Sequence, residues 1–588
     1  MKKSLNGSWE LYYVKNETFR AGKVNLSSAE AVRAGGWEHV EAAVPGNFEL
    51  DLWRAGVIGD PYWSTNIWQL EKYEYYHLVY IKEFDVDESF DGMSPEIVFE
   101  GIDCFAEIWL NGKKLAETDN ALVPHEIEAL SLRQGKNELI VHITPAQIAA
   151  RKYPMAMNTR PMKYNAGQLY VRKAPSQYGW DIMPRAVSAG IWRPVTLETR
   201  KPDRIDDVFL YVNNYSVEKG TADLRVTYNL TLDGDEPSQY RLAISGVCGT
   251  SVFSADTGRL WHNSGELTFR ADGVRFWWPR NYGAPDLYDV TYTLYRNGQP
   301  ADVRTVKAGV RDISLERTST TDSVGSGEFV FRVNGKKIFV LGSNWVPVDA
   351  YHSRDRERLE WILPMLEDIG CNAVRCWGGN VYEDDYFYDW CDAHGIMVWQ
   401  DFAMACAIYP QDKLFQRMLS LEVEKIVKRL RQHVCISLWA GDNECDYSYY
   451  WASGVKKRDP NGNVLTRKVI PEQLAMHDLT RPYLPCSPYI DEYAFKSGKP
   501  TSEEHLWGPR DYFKGKFYGT SVCHFASETG YHGCPSPDSL RKFIKPEQLW
   551  HWTTDRSDPK APIQEDWLCH AAMMEPDQNG PYSYRDRL

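Results

Sequence analysis

After about residue 313 the chain changes its hydrophobic period, and that change decides what it can fold into. Short apolar runs at 337–341, 372–377, 396–401 and 435–440 read as strands. Between the last two, residues 412–432 place Phe415, Met418, Val423, Ile426, Val427 and Leu430 at helical spacing, with the charges largely on the other face. Strand, helix, strand in repetition means a parallel sheet, because parallel neighbours cannot be joined by a tight turn. The expectation for residues 313–588 is a catalytic-type (β/α)8 TIM barrel. Only 60 residues follow Glu528, and they are rich in charge, Pro and Trp, with one helix pattern near 567–573. The barrel is therefore expected to lack its final strand, which would leave open strand edges.

Upstream the pattern is all-β. In residues 1–198 short alternating runs recur between turns; Ala106-Glu107-Ile108-Trp109-Leu110 before Asn111-Gly112 is a strong hairpin signal. Many short strands without long helices predict a jelly-roll sandwich. Residues 199–312 repeat the theme at smaller scale, from Asp207-Val208-Phe209-Leu210 to Tyr288-Asp289-Val290-Thr291-Tyr292, and suit an immunoglobulin-like sandwich. The fold class is thus multidomain β plus α/β, and 588 residues are enough for three such units.

Charge and hydropathy exclude some functions. The net charge is −13, without a basic run that could follow a phosphate backbone, so nucleic acid is not an expected partner. No stretch of 18 apolar residues occurs, so no membrane span is expected. The N-terminus has no apolar leader, which reads as cytoplasmic, or as periplasmic or secreted if a leader has been removed. The twelve cysteines show no metal-ligand spacing and many lie in apolar runs, so buried free thiols are expected.

Each strand of the third unit ends in polar and aromatic residues: Asn344-Trp345-Val346-Pro347, Arg375-Cys376-Trp377-Gly378-Gly379, Trp399-Gln400-Asp401-Phe402 and Gly441-Asp442-Asn443-Glu444. In this architecture the carboxyl ends of the strands build the active site. Two acids stand out, Glu444 after one strand and Glu528 after Phe525-Ala526-Ser527, with room between them for further β/α units. A facing pair of carboxyls is what glycoside hydrolysis needs, one protonated and one ionised. Spacing alone leaves a catalytic pair and two ordinary surface acids equally open.

These motifs, with Val44-Pro45-Gly46, Phe99-Glu100-Gly101-Ile102-Asp103, Gly190-Ile191-Trp192-Arg193-Pro194 and Trp277-Trp278-Pro279, resemble glycoside hydrolase family two in its β-mannosidase branch, in order along nearly the whole chain. The resemblance implies Glu444 as general acid/base, Glu528 as nucleophile, and Asn443 bonding a sugar 2-hydroxyl. It implies Arg375 beneath Glu528, keeping it ionised, and Trp377 and Trp507 walling the terminal-sugar subsite. It also implies that a jelly-roll loop reaches the pocket through Trp180 and Asp181. The implied reaction is retaining release of terminal β-mannose from oligosaccharides or glycoconjugates, with no metal or organic cofactor required. Alternatives are a β-glucosaminidase, β-galactosidase, β-glucuronidase or endo-β-mannosidase of the family, or a carbohydrate-binding protein without catalysis. Ile182-Met183, Asp442 and Thr529 depart from the family pattern and bear on the choice of sugar.

Overall fold

A computed structural model describes residues 2–22, 24–90, 94–162, 165–234, 236–451, 457–508, 516–530, 536–549 and Asp566. The first unit packs two antiparallel sheets. One has six strands in the order Glu38–Val44, Gly7–Lys15, Tyr76–Val86, Gly135–Thr144, Phe105–Leu110, Lys113–Thr118; the other has four, in the order Lys2–Ser4, Val195–Arg200, Ser94–Phe99, His125–Glu128. Strand side chains alternate between faces, so Leu11, Tyr80, Ile108, Leu139 and Val141 of one sheet meet Ile97, Phe99 and Leu197 of the other in one core. The Asn111-Gly112 turn takes positive φ at both residues, 49° and 82°, as a two-residue hairpin requires.

The second unit pairs Arg204–Ser216, Thr221–Thr231 and Ser264–Asp272 in one sheet, and Ser251–Asp256, Tyr240–Cys248, Tyr288–Arg296 and Gln299–Ala308 in the other. Leu224, Val226, Leu242, Ile244, Val290 and Tyr292 fill the space between them.

The third unit opens with an antiparallel floor, Ile313–Arg317, Phe329–Val333 and Lys336–Ile338. Seven parallel strands follow among the described residues: β1 (Gly342–Trp345), β2 (Ala373–Cys376), β3 (Met397–Asp401), β4 (Ile436–Ala440), β5 (Tyr483–Leu484), β6 (Glu503–Leu506) and β7 (Phe525–Thr529). β1 to β5 form one sheet, and β6 pairs β7. The two sheets meet where Asn344 Nδ2 of β1 donates to the Ser527 carbonyl of β7 at 3.2 Å. Helices α1 (Asp355–Asp368), α2 (Asp385–His394) and α3 (Lys413–Leu430) cover the outside. A cavity of about 550 Å³ lies inside, lined by Phe329, Phe331, Trp399 and Phe525 among others.

The run at 337–341 is not the first parallel strand. Asn334 and Gly335 form a tight turn with positive φ, which folds Lys336–Ile338 back on Phe329–Val333 and leaves Phe339 74% exposed, so β1 begins only at Gly342. The expected helix near 567–573, the cysteines at 534 and 569, and most of the segment expected to lack an eighth strand lie outside the described residues. The other ten cysteines are free thiols, eight of them buried. No helix among the described residues is long and apolar enough to cross a membrane.

The units are locked together by buried polar contacts. Arg172 of the first unit makes a bidentate pair with Glu422 of α3, at 2.8 and 2.7 Å, and Asn120 and Tyr382 donate to the same carboxylate. The Trp277 indole of the second unit donates to the Asp392 carbonyl of α2, and Arg311 donates to the carbonyls of Val434 and Ile436.

Candidate active site

The carboxyl ends of β3, β4 and β5 are tied into one rim. Cys406 N donates to the Asn443 carbonyl and Glu444 N to the Ser487 carbonyl, both at 2.9 Å, extending the parallel pairing past the strands. Gly441 permits this: a Cβ there would stand 2.2 Å from the Pro485 carbonyl oxygen. Glu444 itself has φ +56° and Cys406 φ +46°. Such left-handed backbone costs a non-glycine residue roughly 1–3 kcal/mol and concentrates at functional sites.

Glu444 and Glu528 face each other on this rim. One carboxylate oxygen of each, together with His505 Nδ1, lies within 4.8 Å of the others. Both side chains keep a partly open edge, 13% and 14% exposed. Glu528 is held as an anion: Trp507 Nε1 donates to Oε1 at 2.7 Å and Arg375 to Oε2 at 3.0 Å. Burial works against its charge, but His505 and Arg375 outweigh it and hold the carboxyl below the usual glutamate range. Glu444 has a different setting. His505 Nδ1 is 2.7 Å from Oε1, and the Cys406 thiol donates to Oε2 at 3.2 Å. Burial pushes that thiol far up, so it stays protonated and able to donate.

Arg375 on β2 organises the floor. It is buried, and besides Glu528 it donates to Asn344 Oδ1 at 2.9 Å, Asp401 Oδ2 at 2.7 Å and Asn443 Oδ1 at 2.7 Å. A planar guanidinium can serve four acceptors in fixed directions, which a lysine could not do. Burial pushes the Asp401 carboxyl up to about 6, against the pull of Arg375. With its carbonyl oxygen taken by Arg375, the Asn443 amide nitrogen has, among the described residues, only Cys406 Sγ as a partner, a weak acceptor at 3.5 Å, and keeps a hydrogen to donate.

The aromatic wall comes from two units. Trp180 of the first sandwich meets Trp377 of the barrel edge to face, with centroids 5.0 Å apart, and both pack on Ala405 and Cys406. Asp181 follows, half-buried. Trp507 sits on the nucleophile-like carboxylate and closes against Gly530, where a Cβ would stand 2.4 Å from its ring. Of the departures from the family pattern, Asp442 is fully buried and faces Cys445, Asp446 and Arg467, away from the sugar side. Thr529 is exposed and donates to the Leu506 carbonyl, while Ile182 is exposed and Met183 half-buried beside the tryptophans.

His505, Cys406, Ser487 and Glu503 are site residues that motif reading passes over. The alternation of Glu503-Glu504-His505-Leu506-Trp507 held the signal for two of them: if Trp507 faces the pocket, 505 and 503 share its face. Among the described residues two groups bring three candidate metal ligands together, Glu444–His505–Glu528 and Asp389–Asp392–His433. In the second, His433 Nδ1 is already bonded to Asp392 at 2.8 Å.

Residues 21–193 match the profile described as "Glycosyl hydrolase 2 galactose-binding domain-like", and residues 204–311 that of "Glycosyl hydrolases family 2". The chain is similar to a β-mannosidase B of Thermothelomyces thermophilus, 31% identical over 85% of this chain and 60% of the relative. It is similar to a β-mannosidase of Capra hircus, 29% identical over 87% and 61%. Among solved structures, a β-D-mannosidase from Dictyoglomus thermophilum superposes with a TM-score of 0.83 and 30% identity, over 99% of this chain and 68% of that one. The chain thus spans about 60% of the length of these curated relatives.

Proposed function

Because the chain belongs to glycoside hydrolase family 2, in its β-mannosidase branch, we propose that it is a retaining exo-β-mannosidase acting on oligosaccharides or glycoconjugates. The observation that carries this reading is the facing pair of unlike carboxyls. Glu528 is clamped as an anion by Arg375 and Trp507, and Glu444 shares its oxygens with His505 and a protonated thiol. One oxygen of each lies within 4.8 Å of the other, which suits the retaining arrangement, with carboxyl groups roughly 5–5.5 Å apart, rather than the roughly 6.5–9.5 Å of the inverting one.

In the proposed reaction a Glu528 oxygen attacks the anomeric carbon while Glu444 protonates the departing glycosidic oxygen. A covalent glycosyl-enzyme forms and the aglycone leaves. Glu444 then takes a proton from water, which attacks the same carbon and releases Glu528, so configuration is retained. Asn443 donates its free amide hydrogen to the 2-hydroxyl, Trp377 and Trp180 form the wall of the terminal-sugar subsite, and Asp181 bonds a sugar hydroxyl. The first sandwich is read as a jelly roll that lends this wall to the barrel, and the second as an immunoglobulin-like spacer.

The covalent intermediate offers a direct test. A 2-deoxy-2-fluoro-β-mannosyl fluoride should inactivate the protein with one sugar added per chain, on the peptide containing Glu528. A label on another residue, or no label under conditions that inactivate, would overturn the assignment.

A further inference from the structure

Resting on that reading, we propose that Arg172 of the first unit, together with Gln168, is a positioning residue for the general acid: the sandwich holds the loop after β3, and the loop holds Asn443 and Glu444. The loop spans residues 402–412, between β3 and α3. Its peptides bracket the residue before the acid. Asn443 N donates to the Met404 carbonyl and Cys406 N to the Asn443 carbonyl, both at 2.9 Å. The backbone direction of Asn443, and with it that of Glu444, is therefore set by where residues 404 and 406 stand. Cys406 reaches its place in left-handed backbone, φ +46°, which a residue with a Cβ keeps only when its surroundings hold it.

The holding groups come from two units. Two N–H donors of the loop are met inside the barrel, Ala403 N by Tyr382 Oη at 3.0 Å and Ala405 N by Tyr409 Oη at 3.1 Å. The carbonyls of the same two residues are met from the first sandwich. Arg172 Nη2 donates to the Ala403 carbonyl at 2.9 Å, and Gln168 Nε2 to the Ala405 carbonyl at 3.4 Å. Further along, the backbones of Arg160 and Ile408 exchange two hydrogen bonds of 2.9 Å. Arg172 is buried, and its Nε and Nη2 also bond Glu422, which accepts from Tyr382 Oη as well. One buried carboxylate thus aligns the groups on both sides of Ala403, and a planar guanidinium fixes their directions. Glu528 is clamped instead by Arg375 on β2 and Trp507 just past β6. Loosening the loop should therefore weaken proton delivery and leave the nucleophile in place.

The test separates proton delivery from the rest of the reaction. A 2,4-dinitrophenolate leaves without a proton, whereas an alkoxide needs one from the general acid. The full chain is compared with Arg172→Met/Glu422→Leu, which frees the Ala403 carbonyl without stranding a buried charge. Gln168→Met is the second variant; it frees the Ala405 carbonyl, keeps the Arg172–Glu422 pair, and carries the test if the double variant does not fold. In the double variant kcat/KM on methyl β-mannoside should fall about a hundredfold, as a misplacement of about 1 Å can cost, and on 2,4-dinitrophenyl β-mannoside by less than about threefold. Gln168→Met should show the same selectivity at smaller size. Equal losses on the two substrates, or no loss on either, would make these contacts merely structural and overturn the proposal. Amide exchange read by mass spectrometry needs no turnover: residues 403–408 should exchange faster in both variants while α3 keeps its protection. Exchange at 403–408 that is unchanged, or that rises no more than in α3, overturns the proposal as well. If the unaltered chain hydrolyses neither mannoside, the β-mannosidase reading fails by itself, and amide exchange still decides whether the sandwich holds the loop.

Discussion

Glu528 and Glu444 are the same residue type in settings that differ by what touches each oxygen, and that difference is the basis of the proposed division of labour. Trp507→Phe keeps the ring but removes the indole N–H on Glu528 Oε1. A hydrogen bond to a charged group is worth about 1.5–3 kcal/mol, so kcat/KM should fall about ten- to hundredfold. Because that bond lowers the Glu528 value, the acid limb of the profile should move to higher pH; initial rates across pH check both. Cys406→Ala should cost less, about three- to tenfold, since a thiol is a weak donor. The places of the two acids after strand-like runs left a facing pair and two surface acids equally open, and the roles of both, like that of Arg375, came from the resemblance. His505 and Glu503 were not legible, because a polar residue within a short strand is as often a buried hydrogen-bonding group as a site residue. Only the face it shares with Trp507 tells them apart.

α3 shows what sequence periodicity captures at the scale of an element and what it misses. Asp412 caps it by accepting from Phe415 N at 2.9 Å, and Phe415, Val423, Ile426, Val427 and Leu430 are buried as their spacing predicts. Leu419 rather than Met418 completes that face, and the buried Glu422 interrupts it. Nothing near 422 in the chain explains the charge; its partner Arg172 lies 250 residues away in another unit. Glu422→Gln should therefore destabilise the protein by about 3–5 kcal/mol, because it leaves a buried guanidinium unpaired. The double variant Arg172→Met/Glu422→Leu should recover much of that loss, as seen by thermal unfolding. The run at 337–341 failed as the first parallel strand for a related reason, only its start pairing, and antiparallel. Its apolar residues read as a buried strand, but the Asn334-Gly335 turn just before it sets the pairing partner, and turn geometry outranks composition.

For the whole molecule, the period change near residue 313 made two β regions and an α/β region legible. The interfaces between them were not, because they rest on single buried polar groups such as Arg172, Trp277 and Arg311, which carry no periodic signal. The same burial sets a pH dependence of stability. It pushes the Glu49 carboxyl up to about 8 and Glu383 up to about 7, while His352, His433 and His505 are raised because their acidic neighbours outweigh burial. A group whose folded value lies above its unfolded one stabilises fully below the unfolded value and loses that effect as pH rises through the folded one. All five act in the same direction between pH 6.5 and 8, so calorimetry should show Tm falling by a few degrees across that window. The central claim, that Glu444 and Glu528 perform retaining hydrolysis of β-mannosides, is met most directly by initial rates on a panel of aryl β-glycosides, with Glu528→Gln alongside. The account predicts turnover of the mannoside above all other sugars and a loss of about four orders of magnitude in the variant. Absence of turnover on every sugar, or turnover that survives Glu528→Gln, would contradict it.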